Sequence, residues 1–177
     1  MKRKLDVDLD ELDIAFHTAS YRLHHYLDLE TGEVILIMDE FAQELEAIYE
    51  EIHDQEGKGT VSLEAYLEER VAHDWQKEML LAADRVEQEY GTRYIRVERE
   101  DPHADYEDME RFIDGLHDSR LQKRLWRAIQ GRGAFRYFTD VLSDHPDVRQ
   151  QWFQFRDARR RRRARLWLEA RGIEPVS

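Results

Sequence analysis

The sequence contains no cysteine, and only three prolines and eight glycines interrupt its 177 residues. The lack of thiols excludes disulfide bonds, thiolate zinc sites and a cysteine nucleophile. The scarcity of proline and glycine indicates long regular elements joined by short loops. The longest apolar run, Val34–Met38, is far shorter than the roughly 20 residues of a membrane-spanning helix. Because no apolar stretch follows the basic start MKRK, we expect a cytoplasmic protein without a secretory signal or membrane contact.

Charged residues are abundant, at 37% of the chain, and they are unevenly distributed. Residues 1–117 contain 12 basic and 32 acidic residues, whereas residues 118–177 contain 15 basic and 7 acidic residues. The overall net charge of −12 argues against a protein that binds DNA with its whole surface. The basic third either packs against the acidic part or forms a site for an anion.

Three short segments have the pattern of β-strands. Residues 21–29 alternate between apolar and polar side chains, and the turn ETG separates them from residues 33–38, which are apolar after Glu33. This pattern predicts a β-hairpin. Residues 93–98 alternate again and predict a third strand. We therefore expect a small antiparallel sheet.

Helices are predicted for most of the remaining chain. Asp39 and Ser62 are predicted N-caps, and the segment DQEGKG is expected to end the first of these helices. Apolar residues at helical spacing predict one long helix from Ser62 to about Tyr90. After Pro102 the chain is predicted to be helical to about Arg171.

The fold class expected from these patterns is α+β, with a three-stranded antiparallel sheet and a mainly helical C-terminal half. We expect a single compact domain over residues 1–177, with an acidic α+β part at 1–101 and a basic helical part at 102–177. Large apolar side chains are expected to anchor the C-terminal core: Trp126, Phe135, Phe138, Trp152, Phe155 and Leu166.

Arginines interrupt the aromatic stripe of the last predicted helix. Trp152 and Phe155 continue at helical spacing into Arg159, and a neighbouring row contains Arg156 and Arg163. A buried guanidinium must be paired or hydrogen-bonded. Two explanations remain open: pairing with carboxylates or aromatic rings of the same chain, or a groove that binds a phosphate or carboxylate ligand.

The segment GRGAFR is a second candidate for anion binding. Gly131 is predicted to end one helix in a left-handed conformation and Gly133 to precede the next. Arg132 and Arg136 would add positive charge there. A tight turn between helices requires the same glycines, and no strand precedes them, so the segment is neither a P-loop nor a dinucleotide fingerprint. The arginines of the preceding helix, Arg120, Arg124 and Arg127, are expected to form a solvated face or to extend this basic surface.

Two long segments resemble the signatures of an uncharacterised bacterial protein family, UPF0158. The first is HYLDLETGEVILI near the start of the chain. The second comprises RLQKRLWRAIQGRGAFRYFTDVL and QQWFQFRDARRRRRARLWLEARGIEPV near its end. The resemblance covers about half of the chain, does not extend to residues 55–100, and implies no activity. The family pattern includes GRGAF, FRDAR and the tryptophans, whereas the run Arg160–Arg163 is more basic than that pattern requires.

Common enzyme motifs are absent from the sequence. It contains no GxSxG, HExxH or Walker motif. Asp6, Asp8 and Asp10 resemble the start of an EF-hand, but the required glycine and glutamate are missing. We therefore predict no catalytic residue, no metal ligand and no cofactor.

These observations favour a non-enzymatic binding or regulatory module whose ligand carries phosphate, a nucleotide or an RNA. One alternative is a homo-oligomeric or adaptor protein without a small ligand, held by its oppositely charged faces. Another is a phosphodiester hydrolase that uses His117 or His145 as a base. The predicted ligand-binding residues are Arg132, Arg136, Tyr137, Trp152, Arg156, Arg159 and Arg163.

Overall fold

The computed structural model of the chain describes residues 2–54, 59 and 61–176. Its fold is α+β, with a small three-stranded antiparallel sheet and a helical C-terminal part, as predicted. The chain divides into two compact units: Met1–Arg99 with Arg171–Ser177, and Glu100–Ala170. This division falls close to the predicted boundary between the acidic part and the basic part. That the whole chain forms a single domain stays a prediction. The segment DQEGKG, where the helix that begins near Asp39 was predicted to end, lies largely outside the described residues.

The first unit contains a sheet, four helices and a separate pair of strands within the described residues. Its elements are β1 (Arg3–Leu5), α1 (Leu9–Thr18), β2 (Leu23–Asp28), β3 (Val34–Met38), α2 (Asp39–Asp54), α3 (Leu63–Arg70), α4 (Asp74–Gln88), β4 (Tyr94–Val97) and β5 (Ile173–Pro175).

The sheet has the strand order β3-β2-β4, and both pairings are antiparallel. Tyr26 in the central strand lies opposite Ile35 on one side and Arg96 on the other. All three strands were predicted, β2 and β4 from their alternating patterns and β3 from the apolar run that follows the turn. Strands β1 and β5 were not, because each has three residues, too few to establish a period. They pair in parallel, with Arg3 opposite Ile173.

The prediction of one continuous helix from Ser62 to Tyr90 is wrong, because the chain forms two helices with a break between them. Val71 has an extended backbone (φ −103°, ψ 119°) and ends α3, and α4 begins at Asp74. The apolar period continues across this break because both helices contribute to one core, in which Leu67 and Leu80 are buried. The spacing of apolar residues therefore shows that both segments contribute to one buried face. Two short helices can form such a face as well as one long helix. The apolar stripe predicted for α2 is buried as expected: Phe41, Leu45, Ile48 and Ile52.

A buried carboxylate organises the turn between β2 and β3. Arg93 donates hydrogen bonds to both oxygens of Asp28, from Nε to Oδ1 and Oδ2 at 3.1 Å each and from Nη2 to Oδ2 at 2.8 Å. The backbone N–H groups of Glu30 and Thr31 also donate to Asp28 Oδ1. Burial alone would raise the pKa of Asp28, but these hydrogen bonds outweigh it and hold the pKa below its usual range. The carboxylate therefore ties the turn of the sequence LETG to β4.

Gly32 in this turn has no room for a side chain. Its φ is +85°, and a Cβ atom there would lie 1.9 Å from the carbonyl oxygen of Asp6. We expect Gly32→Ala to lower the free energy of unfolding by clearly more than the left-handed strain alone, which is about 1–2 kcal/mol. The control is Gly91→Ala, since Gly91 has a similar φ of +81° but no atom within 4 Å of a built Cβ. Urea unfolding measures both, and equal losses would contradict the proposed clash.

His25 joins β2 to α1 through a buried hydrogen bond. The Thr18 hydroxyl donates to the carbonyl of Ile14 at 2.7 Å and therefore accepts from His25 Nε2 at 2.9 Å. His25 is 7% exposed, and burial, together with the neighbouring His24, lowers its pKa. The folded chain therefore favours the neutral imidazole more strongly than the unfolded chain does.

This pKa predicts a loss of stability in mild acid. Below pH 6.5, the ordinary histidine pKa, the unfolded chain takes up a proton at this position before the folded chain does. The stabilisation from neutral His25 is complete above that pH and is lost as the pH falls toward the lowered folded pKa. We expect His25→Gln to flatten the dependence of the unfolding free energy on pH between about 6.5 and 5, where few carboxylates titrate. The exposed His73, changed to Gln, is the matched control for the loss of a histidine, and equal flattening in both variants would contradict a specific role of His25.

The second unit consists of four helices in the described residues: α5 (His103–Asp114), α6 (Ser119–Ala128), α7 (Ala134–Ser143) and α8 (Pro146–Glu169). Phe138 and Trp152 are buried in its core, as predicted, and Trp126 and Phe155 are partly buried against it. The predictions for Phe135 and Leu166 are wrong, because these side chains are 49% and 52% exposed.

The helical register explains both exposed side chains. In α7 the buried residues are Ala134, Phe138 and Leu142, a strict spacing of four that leaves Phe135 outside the buried stripe. In the last turns of α8, Ala164 and Leu168 occupy the corresponding buried positions in place of Leu166. None of the helices in the described part of the chain is both long enough and apolar enough to span a membrane.

Candidate functional site

Two arginines of α8 hold one buried carboxylate of α5. Asp108 is 1% exposed. Arg159 Nε donates to its Oδ1 at 2.8 Å, and Arg163 Nη1 donates to its Oδ2 at 2.5 Å. Each oxygen of the carboxylate thus has its own guanidinium donor, which compensates for the loss of water around the buried charge.

Further carboxylates extend this pairing into an ion-pair cluster, defined here by Glu100, Asp105, Asp108, Arg159, Arg160 and Arg163. Arg163 lies 2.5 Å from Glu100 and 3.3 Å from Asp105, and Arg160 lies 3.0 Å from Asp105. Burial would lower the pKa of the Arg163 guanidinium, but Asp108 and Glu100 raise it on balance. Arg163 therefore remains charged because of partners within its own unit.

Arg156 and Trp152 are also engaged within the second unit. Arg156 Nη2 lies 2.9 Å from Asp157 Oδ1, and its guanidinium lies 5.1 Å from the centre of the Phe153 ring. Trp152 is 7% exposed, and its ring centre lies 4.8 Å from that of Phe138. Internal pairing, one of the two explanations left open by the sequence, thus describes the surroundings of all four predicted residues of α8. Their role in ligand binding stays a prediction.

The ion-pair cluster predicts a large difference between two Asp→Asn substitutions. Asp108→Asn removes the charge that neutralises two partly buried guanidinium groups, and we expect it to cost about 3 kcal/mol of unfolding free energy. Asp157→Asn removes an exposed pair, and we expect it to cost at most about 1 kcal/mol. Chemical denaturation followed by helical circular dichroism compares them, and a loss for Asp108→Asn no greater than that for Asp157→Asn would contradict a stabilising role for the cluster.

A different set of cations lies on α6, the following turn and the start of α7. Residues 119–139 contain six basic residues and no acidic residue. All six are exposed, and we call them the basic face: Arg120, Lys123, Arg124, Arg127, Arg132 and Arg136.

Local sequence explains why this face forms. Asp118 caps α6 by accepting hydrogen bonds from the backbone N–H groups of Arg120 and Leu121, and these bonds lower its pKa. Leu121 and Leu125 are buried at a spacing of four. The basic residues of α6 lie on the other sides of the helix and are exposed.

The predicted turn between α6 and α7 is present. Gly131 (φ +87°) and Gly133 (φ +77°) both have left-handed backbones, and the exposed Arg132 lies between them. A Cβ atom on Gly133 would lie 3.1 Å from Cε2 of Tyr137, so the Tyr137 ring packs over this glycine. The Tyr137 ring of α7 therefore lies close to the turn that contains Arg132.

An open cleft of about 580 Å³ lies beside this turn. It is lined by Arg124, Arg127, Ala128, Gln130, Tyr137, Asp140, Val141 and Asp144. Arg124 lies 3.5 Å from Asp144, and Arg136 lies 3.9 Å from Asp140. These pairs are exposed and long, and contacts of this kind contribute little. Neither Arg127 nor Arg132 forms an ion pair with any residue in the described ranges 2–54 and 61–176.

The structure thus separates the predicted site residues into two groups. Arg132 lies in the turn before α7, and Arg136 and Tyr137 lie at the start of α7; the two arginines belong to the basic face. The other four lie on α8. Sequence reasoning did not include Arg124 and Arg127 among the site residues, although it noted their exposed face. The signal that identifies them is the lack of any acidic residue between positions 119 and 139.

Comparison with known proteins identifies the family. Residues 66–177 match the profile described as Uncharacterised protein family (UPF0158). The chain belongs to this family. A relative from Pseudomonas aeruginosa, named UPF0158 protein PA5073, is 28% identical over 176 residues, which cover 99% of this chain and 89% of the relative. No solved structure matches the chain.

The UPF0158 match covers residues that the sequence resemblance did not. It begins at Tyr66 and therefore includes α4 and β4, as well as the whole second unit. The resemblance at HYLDLETGEVILI lies before the matched residues but within the alignment to the Pseudomonas aeruginosa relative. In this UPF0158 chain, GRGAF forms the turn with its two left-handed glycines, and FRDAR provides Arg159 to the ion-pair cluster.

Proposed function

We propose that this UPF0158 protein is a non-enzymatic binding module for a phosphate-bearing ligand, a nucleotide or RNA, and that the basic face is its site. The observation that carries the proposal is the concentration of six exposed cations within residues 119–139 without an acidic residue among them. The second unit as a whole contains 13 acidic and 15 basic residues, a net charge of only +2. Arg159, Arg160 and Arg163 of α8 are held by carboxylates, whereas Arg127 and Arg132 of the basic face form no ion pair with any described residue.

The chemistry of arginine favours phosphate as the partner. A guanidinium presents a planar set of N–H donors that matches the oxygens of a phosphate group. Arg127 and Arg132 have no carboxylate among the described residues with which a phosphate would have to compete. Arg124 and Arg136 would exchange weak, exposed contacts for a doubly charged or repeating anion.

Exposed aromatic rings support a ligand that also carries bases. Tyr137 is 54% exposed and Phe135 is 49% exposed, and both lie within five residues of Arg132 and next to Arg136. Cations that follow a phosphate backbone, combined with rings on which bases stack, are typical of proteins that bind single-stranded nucleic acid. Tyr137 also lines the cleft that contains Arg124 and Arg127.

Fluorescence anisotropy of a 3′-labelled, 5′-phosphorylated single-stranded RNA decamer tests the proposal. We expect binding that weakens with salt, and we expect Arg127→Ala to reduce the slope of log affinity against log salt by about 0.7. The same change should weaken binding roughly tenfold, equivalent to about 1.4 kcal/mol. Competition by unlabelled AMP and ATP shows whether a nucleotide suffices.

Matched variants distinguish the basic face from general attraction. Arg111→Ala removes an exposed arginine of α5 outside the face and should change the affinity little, whereas Tyr137→Leu should weaken binding without changing the salt slope. Equal effects of Arg111→Ala and Arg127→Ala would contradict the proposal. Sedimentation at the same salt concentrations tests the alternative of a homo-oligomer, and mass spectrometry of the recovered RNA tests for hydrolysis.

A further inference from the structure

A second cleft, of about 530 Å³, lies within the first unit between the sheet and helices α2 and α4. Its volume is within the usual range for sites that hold small molecules. Its base is apolar and buried, with Ile37, Leu45 and Val86 each at most 5% exposed. The cleft is separate from the basic face, and none of its residues belongs to the second unit.

Two tyrosines form an aromatic corner in this cleft. The rings of Tyr26 and Tyr90 meet edge to face, with their centres 6.1 Å apart and an interplanar angle of 89°. Tyr26 is half-buried in the central strand, whereas Tyr90 is 58% exposed beyond the end of α4. Both rings line the cleft. The electron-rich face of a tyrosine attracts a cation placed over it.

The charged residues that line the cleft are mainly acidic. They are Asp39, Glu46 and Glu87, against a single arginine, Arg96. Glu46 and Glu87 are exposed, and the carboxylate of neither forms a hydrogen bond or an ion pair with another described residue. Both carboxylates are therefore available to a positively charged group.

The arginine of the cleft is already engaged. Arg96 Nη2 donates to His24 Nδ1 at 2.8 Å, and His24 Nε2 lies 3.4 Å from Asp39 Oδ1. Gln43 Nε2 also donates to Asp39 Oδ2 at 2.6 Å. This chain of contacts joins Arg96 to Asp39 through His24, so the charges of these two residues offset each other. The uncompensated charge of the cleft is that of Glu46 and Glu87.

We propose that this cleft binds an organic cation, an amine or quaternary ammonium group carried on an apolar body. The apolar base would bury the body of such a ligand, the tyrosine pair would receive its charged group, and Glu46 and Glu87 would neutralise it. The first unit supports this preference as a whole, since it contains 26 acidic and 12 basic residues and has a net charge of −14. A field of that sign attracts cations and repels the phosphate-bearing ligands proposed for the other unit.

Three probes of similar size distinguish the contribution of charge to binding from that of apolar contact: 2-phenylethylammonium, 2-phenylethanol and 3-phenylpropionate. Titrations of the full chain followed by protein NMR give their dissociation constants. We expect the ammonium probe to bind at least tenfold more tightly than the alcohol and the carboxylate probe not to bind. Equal affinity for all three probes, or no binding of the ammonium probe at millimolar concentration, would overturn the proposal.

Variants assign the binding to this cleft. We expect Glu46→Gln combined with Glu87→Gln to weaken binding of the ammonium probe at least tenfold while leaving the alcohol unaffected. Tyr90→Leu should weaken the ammonium probe more than the alcohol. Glu50→Gln on the same helix α2, exposed and outside the cleft, is the control and should have no effect. Circular dichroism establishes that each variant is folded, and an equal loss from Glu50→Gln would attribute the affinity to overall charge and overturn the proposed site.

Discussion

Asp108 is almost completely buried on α5, and its charge is held by Arg159 and Arg163 of α8. A buried carboxylate without partners would be strongly destabilising, so the pairing constrains the second unit. Because each oxygen accepts from a different arginine, one turn apart, α8 can occupy only one register against α5 while both bonds are made. The rest of the cluster adds carboxylates around the same guanidinium groups.

This constraint also determines which arginines are available to a ligand. The arginine-rich helix is the most conspicuous feature of the sequence, and it places Arg159, Arg160 and Arg163 among carboxylates. The basic face is less conspicuous, because its six cations are spread over two helices and a turn. It nevertheless lacks acidic residues entirely between positions 119 and 139. The freedom of an arginine side chain to take a new partner, more than the number of arginines in a segment, therefore indicates where an anion would bind.

The fold was largely predictable wherever a period extended over enough residues. Alternation predicts β2 and β4, the apolar run after the turn predicts β3, and helical spacing predicts the stripe of α2. The turn at Gly131 and Gly133 follows from the freedom of glycine to adopt a positive φ. Strands β1 and β5 were not predictable, since a three-residue strand has no measurable period. The break at Val71 was missed because the buried face continues through it, and no glycine or proline marks it.

The candidate site was less predictable than the fold. Spacing alone showed that arginines interrupt the apolar stripe of α8, but the decisive partner of Arg159 lies 51 residues earlier in the sequence. In a chain with 39 acidic residues, no pattern distinguishes Asp108 from the others. The exposure of Phe135 likewise depends on which side of α7 faces the core, and neighbouring aromatic residues left that choice open.

The proposal tested most directly is that Arg159 and Arg163 of α8 hold a carboxylate of their own chain, whereas the arginines of α6 and the following turn would bind the ligand. Arginine side-chain NMR tests it directly, because each Nε–H group gives its own signal. On addition of the 5′-phosphorylated RNA decamer, the account predicts that the signals of Arg124, Arg127 and Arg132 shift and that those of Arg159 and Arg163 do not. Shifts confined to Arg159 and Arg163, with Arg127 and Arg132 unchanged, would contradict it.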